Sequence, residues 1–308
     1  MEKIGKINVS MTGGSGLSLT KYRTCAMKMK WFLDGWRMKF KPYPLAFGSL
    51  VHDGNFNKLE KPDAEKPSKF FRRQMESGIL EDDHGEKTPI NMSKISNDKK
   101  DDEFDNGERV CDKVEENLAG EAVKEVETRF EIDLIDPANN VADSELEQFN
   151  FCGKTDALQD DAIVDLKTSK SQLTENHLNY GDYYLQTEGY RYNQAVKGNV
   201  VHKAKIWNVT KHKWNKKKPL ESGPRWKVIQ VERTDEDFYT LFQFVKDTCL
   251  EILESIKTGI WKRNITQCKT VFGICPYYAL CHQQRFSNPK AEREKTLFKK
   301  PNSYNQKG

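Results

Sequence analysis

The sequence predicts an α/β fold with a mixed central sheet flanked by helices, and three observations carry that prediction. Lys124–Ile135 alternates Val126, Thr128, Phe130, Ile132 and Leu134 with mostly charged residues, the period of a half-buried strand. Two short apolar runs, Phe151–Leu158 and Ala162–Leu166, then follow around a polar Gln159–Asp161 turn. Finally, helical spacing over Tyr180–Val196 gives way to strands over Val200–Val209 and Trp226–Arg233, and then to a long apolar-banded helix over Asp235–Gly259.

At 308 residues and 35.7 kDa the chain can form one large domain or two modest ones. Its mean hydropathy of −0.81 predicts a heavily solvated surface, yet 16 Phe, 11 Tyr and 6 Trp suffice for a core. A net charge of +4 is too small to imply a polyanionic partner, but its distribution is uneven. Acidic residues dominate Asp101–Glu147 and basic ones dominate Lys203–Lys227, with KHKWNKKKP at the centre of the latter. That split favours a basic face for a phosphate backbone, although Lys211–Lys218 also reads as a solvated hairpin tip. MEKIGKINVS lacks the apolar run of a secretory signal, and no segment approaches about 18 consecutive apolar residues. The expectation is a soluble intracellular protein, cytoplasmic or with the nucleoid or nucleus, without a membrane partner. In a reducing compartment the 7 cysteines are expected as free thiols or metal ligands rather than disulfides.

Met1–Gly16 reads as a flexible lead-in. Leu17–Trp36 reads as one helix capped by Ser18 or Thr20, with Tyr22, Cys25, Met29 and Phe32 at helical spacing. Ala46–Leu59 reads as a second helix, in which Gly48 permits close approach to a neighbour and His52 lies among apolar residues. Lys61–Gly107 is polar and interrupted by prolines; one helix over Phe70–Leu80 within a mobile, partly disordered insertion is expected.

Asp156 falls on the first of the two short strands, and Asp165 and Lys167 fall on the second. Alternation points Asp165 and Lys167 to one face, and the hairpin can bring Asp156 beside them. Two carboxylates and an ammonium so placed can hold a divalent cation and position a water for attack on a phosphate. On the next helix Gln186 and Tyr190, four apart, share a face that Asn193 extends and Tyr183 precedes. Lys211, Lys213, Trp214, Lys216, Lys217 and Lys218 are the candidate nucleic-acid contacts, with Trp214 able to stack on a base. Trp207 and Cys249 read as core. Cys268, Cys275 and Cys281 fall within fourteen positions, framed by Gly273 and Pro276, which points to metal ligation. His282 beside them reads as a surface residue.

Taken in order, Asp156, Asp165-Leu166-Lys167 and Gln186-Thr187-Glu188-Gly189-Tyr190 resemble the PD-(D/E)XK nuclease signature, and the QxxxY element resembles its RecB-like branch. Gly48-Ser49-Leu50-Val51-His52 resembles that branch's GxxxH motif, which supplies a metal-binding histidine. The likeness runs from about Leu17 to Cys281. Ser18, Tyr22 and Cys25 are similar to the opening helix of RecB-like nucleases that carry an iron–sulfur cluster, with Ala26 where a proline is common. CPYYALC resembles the C-x₅-C that closes the cluster motif of AddB-type nucleases, although six residues separate Cys268 from Cys275 where those nucleases more often have two.

The resemblance implies a restriction-endonuclease-like sheet in a nuclease domain over residues 17–285, with an insertion at about 61–107 and a basic, disordered tail over 286–308. It implies Mg²⁺ or Mn²⁺ held by Asp156, Asp165, His52 and the Leu166 carbonyl, with Lys167 orienting the attacking water. Gln186 and Tyr190 would contact the bound strand or that lysine. Cys25, Cys268, Cys275 and Cys281 would hold a [4Fe–4S] cluster joining the two ends of the chain, with structural Zn²⁺ as the competing occupant. The implied activity is exonucleolytic or end-processing hydrolysis of single-stranded DNA or DNA with free ends, in recombination or repair beside a helicase or recombinase. A non-catalytic DNA-binding or scaffolding subunit and a sequence-specific endonuclease are the alternatives.

Overall fold

The computed structural model describes residues 6–12, 17–81, 85–93, 95–212, 222–270 and 273–300. Seven strands form the central sheet: β1 (Ile7–Ser10), β2 (Leu17–Ser18), β3 (Glu125–Asp133), β4 (Phe149–Leu158), β5 (Ala162–Ser169), β6 (Lys203–Thr210) and β7 (Trp226–Glu232). Their order is β7-β6-β5-β4-β1-β2, with β3 also on β4. The sheet is mixed, because β1–β4 and β5–β6 pair parallel whereas β3–β4, β4–β5 and β6–β7 pair antiparallel.

The centre of this sheet is forked. β3 occupies one edge of β4 from Asn150 to Leu158. The other edge is shared, with β1 beside Phe149–Phe151 and β5 beside Ala157–Leu158 only. Between them, Cys152–Asp156 has no strand partner on that edge among the described residues. Side chains also change face here. Phe149 and Phe151 pack in one core and Ala157 in the other, although alternation alone would keep three odd-numbered residues together. On β3, Val126 and Phe130 divide in the same way. They therefore do not line one face, as the simple alternation predicts. The change falls at Glu127, whose φ of +53° is left-handed backbone, uncommon for any residue but glycine.

Among the described residues there are ten α-helices: α1 (Leu19–Thr24), α2 (Ala26–Leu33), α3 (Tyr43–Glu60), α4 (Pro67–Ser77), α5 (Lys100–Leu118), α6 (Glu175–Asn179), α7 (Gly181–Val196), α8 (Glu236–Thr258), α9 (Tyr278–Cys281) and α10 (Pro289–Thr296). One core joins Val9, Leu19, Phe151, Tyr192 and Ile252 under α1, α7 and α8. The other joins Phe47, Phe71, Val110, Leu166 and Trp207 under α3, α4 and α5. β5 feeds both by alternation, Ile163 to the first and Val164 and Leu166 to the second. No described helix is long and apolar enough to cross a membrane.

Four sequence expectations are corrected. The lead-in contributes β1, with Val9 fully buried against β4. The Leu17–Trp36 helix is two helices broken at Cys25, whose φ of −167° is extended; Ser18 caps the first by accepting from the Lys21 N–H. Much of the insertion is folded: α4, α5 and a three-stranded ribbon send Phe71, Met75, Leu80, Ile90 and Phe104 into the second core. Polarity averaged over that stretch hides one-sided apolar residues. The tail, too, is ordered as far as Lys300, because Leu297–Lys299 pairs antiparallel with Trp36–Met38 and buries Leu297.

Candidate active site

Asp156 and Asp165 face each other where the fork opens. The last β4–β5 pairs are Leu158 with Ile163 and Ala157 with Val164, so the next pair in register is Asp156 with Asp165. Asp156 Oδ2 accepts from the Leu166 N–H at 2.9 Å, which holds its carboxylate against β5. Asp165 is fully buried and Asp156 is 6% exposed. Two residues beyond Asp165 on the same side of β5, Lys167 Nζ lies 2.6 Å from Asp165 Oδ2.

Helix α3 delivers His52. A Cβ on Gly48 would stand 3.1 Å from Thr168 Oγ1, so glycine lets α3 sit close on β5, one turn before the histidine. His52 Nε2 is 2.9 Å from Asp156 Oδ2, and Nδ1 is 3.1 Å from Glu127 Oε1. Glu127 is the residue that the β3–β4 register sets against Asp156, and its other oxygen pairs with Lys154. Ligand atoms of His52, Glu127 and Asp156 all lie within 4.8 Å of one another, which suits a divalent cation. Sequence reasoning missed Glu127, which reads there as one more polar residue on an amphipathic strand.

Helix α7 closes the other side. Gln186 Nε2 donates to Asp165 Oδ1 at 3.1 Å and to the Tyr190 hydroxyl at 2.6 Å. Gly189 permits this depth, since a Cβ there would meet the Phe151 ring at 2.9 Å. Gln186 thus contacts the acid beside the lysine, and its hydrogen bonds reach Asp165 and Tyr190.

The site is electrostatically strained in the way that invites a cation. Burial disfavours charge on His52, but the Asp156 carboxylate, helped by Asp53 and Glu127, outweighs it and raises the imidazole to about 10. Burial raises Asp165, and the Asp156 charge adds to it despite Lys167. Burial also opposes ionisation of Asp156, yet the charge of His52 prevails and holds that carboxyl well below the usual range. Burial likewise raises Glu127. Two carboxylates this close in a buried setting do not both ionise without compensation, and Lys167 with His52 supplies only part of it.

Cys25 sits at the break between α1 and α2, and the other predicted cluster ligands follow α8 in the chain. Asn264 N–H approaches Cys25 Sγ at 3.5 Å, Trp31 Nε1 donates to Cys281 Sγ at 3.2 Å, and His282 Nε2 lies 3.8 Å from Cys268 Sγ. Cys275 N–H donates to the Cys268 carbonyl at 2.9 Å. Burial raises the Cys281 thiol, with the neighbouring Cys25 and Cys268 adding to it; burial raises Cys275 as well, and Cys281 and Cys268 add to that rise. All four are free thiols. His282 is 8% exposed and stacked on Tyr278 at 4.4 Å, which corrects its reading as a surface residue.

Of the basic candidates, Lys211 is folded back onto α3. Its Nζ lies 4.3 Å over the Phe47 ring and 3.3 Å from the Pro44 carbonyl, and burial lowers it to about 8. Lys213, Trp214, Lys216, Lys217 and Lys218 lie outside the described residues.

The sequence profile described as the PD-(D/E)XK nuclease superfamily matches residues 15–282. Among solved structures the chain is similar to a putative exonuclease from Eubacterium rectale, at 16% identity over 82% of this chain and 83% of that one, with a TM-score of 0.49. It is also similar to LHK-Exo, solved in complex with dAMP, at 13% identity over 70% of this chain and 95% of that one, with a TM-score of 0.29. No protein with a curated description matches.

Proposed function

Because the chain belongs to the PD-(D/E)XK nuclease superfamily, we propose that it is a Mg²⁺- or Mn²⁺-dependent deoxyribonuclease acting from DNA ends. The observation that carries this reading is the meeting of His52, Glu127, Asp156, Asp165 and Lys167 at the fork. Asp156, Asp165, His52 and Glu127, with the Leu166 carbonyl, are the groups that would hold the cation. Bound there, a divalent ion supplies charge neutralisation at the phosphate and a lowered pKa for water. Lys167 would orient the attacking water and offset charge developing on the phosphate oxygens. Gln186 fixes the Asp165 carboxylate, and Tyr190 in turn fixes Gln186.

Digestion of end-labelled linear DNA and closed circular DNA, with and without Mg²⁺ or Mn²⁺, tests the reading. Loss of linear DNA alone, only with metal, is expected. Discrete fragments from the circle would make the chain an endonuclease, and salt-sensitive binding without cleavage would make it a scaffolding subunit.

Cation binding should release protons, because the imidazole must be neutral to ligate while His52 is held to about 10 before binding. Affinity for Mn²⁺ is therefore expected to rise with pH up to about 10, where His52 loses its proton unaided. Calorimetry in two buffers of different ionisation enthalpy measures the release; identical heats in both would remove His52 from the site.

We further propose that Cys25, Cys268, Cys275 and Cys281 hold a structural [4Fe–4S] cluster. Four thiols, with N–H groups directed at the Cys25 and Cys281 sulfurs and His282 beside that of Cys268, are a donor set suited to thiolate ligation. Protein purified without oxygen is expected to be brown, whereas colourless protein with stoichiometric zinc would give the site to zinc. Cys25→Ser is expected to lower the melting temperature far more than Cys111→Ser, a fully buried cysteine remote from the group. Equal shifts would exclude Cys25 as a ligand.

A further inference from the structure

The α7 face that brings Gln186 to Asp165 also carries Tyr183, three residues earlier. The Lys167 ammonium lies over the Tyr183 ring at 5.6 Å from its centre. The ring is seated: it packs against the apolar cluster of Leu173, Leu178, Ala204, Ile206 and Ile229 while staying half-buried rather than enclosed. His177, exposed on α6, lies with its ring centre 6.5 Å from that of Tyr183 at an angle of 32°. His177 is itself fixed, because its Nδ1 accepts from the Thr174 N–H at 3.1 Å. Tyr180, which falls between them in the sequence just before the positive-φ Gly181 at the start of α7, is 73% exposed. The Tyr183 and His177 rings thus lie together on the lysine side of the site, and neither the metal ligands nor the hydrolytic step uses them.

We propose that Tyr183, with His177 beside it, is a stacking platform for an unpaired base of the nucleotide next to the scissile phosphate. This rests on the nuclease reading, which sets the phosphate against Lys167. A nucleotide whose phosphate lies at that amine has its sugar and base within reach of a ring only 5.6 Å away. Every nucleobase offers a π-face, so an aromatic plane there binds without regard to sequence. A base inside a duplex is already covered by its neighbours on both sides and has no face to give. The platform therefore selects single-stranded or frayed ends as the substrate class. Tyr183 suits this role as a neutral phenol, since burial raises its pKa.

The test measures anisotropy of labelled single-stranded oligonucleotides on the full chain with Ca²⁺, using wild type, Tyr183→Ala, Tyr183→Phe and His177→Ala. Each oligonucleotide is repeated with one abasic residue stepped along the positions nearest the labelled end. Tyr183→Ala is expected to weaken binding about 10-fold on the intact strand, as loss of one stacked base does, and Tyr183→Phe less than about twofold. His177→Ala, at an exposed position, should give a smaller loss in the same direction. With the abasic residue at one particular position, wild type and Tyr183→Ala should bind alike. A loss that is the same wherever the abasic residue stands, or equal on blunt duplex and single strand, overturns the proposal. So does wild type that cleaves duplex ends but does not bind single strands, an outcome that leaves the nuclease reading intact. Binding with the stepped abasic signature but without hydrolysis in Mg²⁺ or Mn²⁺ would instead remove the nuclease reading and keep the platform.

Discussion

Asp165→Asn and Lys167→Ala are each expected to lower the rate of DNA hydrolysis by on the order of 10³-fold or more while leaving DNA affinity within a few-fold. Asp165 is fully buried, faces Asp156 and is tied to Lys167 and Gln186, so its charge is costly to keep and useful only to the reaction. The two substitutions should therefore separate in stability. Asp165→Asn relieves repulsion with Asp156 and is expected to leave the metal-free protein as stable as wild type or more so. Lys167→Ala strips Asp165 of its cation and is expected to be destabilising. Single-turnover cleavage and urea unfolding measure both. Turnover near the wild-type rate in either variant would dismiss the assignment.

Glu127→Ala removes one of the groups that would hold the cation and is expected to weaken Mn²⁺ binding by at least about 10- to 100-fold, the loss that follows even when a group supporting a metal ligand is removed. Glu127 acts through two properties, a carboxylate on His52 and a left-handed backbone, and a pair of variants divides them. Glu127→Gly accepts a φ of +53° readily, so it should be more stable than Glu127→Ala by about 0.5–1 kcal/mol. Both should lose the same metal affinity. If glycine restores binding, the residue matters for its backbone, and the carboxylate is no ligand.

How much of this was legible depends on how each feature is written in the chain. Asp165 and Lys167 are fixed to one face by a two-residue spacing, Gln186 and Tyr190 by one helical turn, and Gly48 and His52 by another. Each pair is local, so the sequence carries it. Glu127 enters the site only through the register of β3 on β4 and an unusual φ, neither of which leaves a mark in ETRFEID. The same holds for β1 and for Leu297–Lys299, short segments ordered by partners more than a hundred residues away. Polar averaging concealed the first half of α5, where Phe104 is buried among acidic residues, whereas the α4 helix was legible over Phe70–Leu80. His282 was misread because neither its stacking on Tyr278 nor its approach to Cys268 follows from adjacency to Cys281.

The strand pairing of Leu297–Lys299 with Trp36–Met38, and the approach of Cys25 to residues 264–281, set an order of events during synthesis. A nascent chain halted at residue 260 already holds every side chain of the forked sheet's reaction centre. It also holds α8, whose Thr248, Glu251 and Ser255 bond Tyr22 and Arg23 of α1, and lacks only the later segments that meet α2 and Trp36–Met38. A chain ending there is therefore expected to keep α1 seated on α8 while leaving α2 and the Trp36–Met38 edge uncovered.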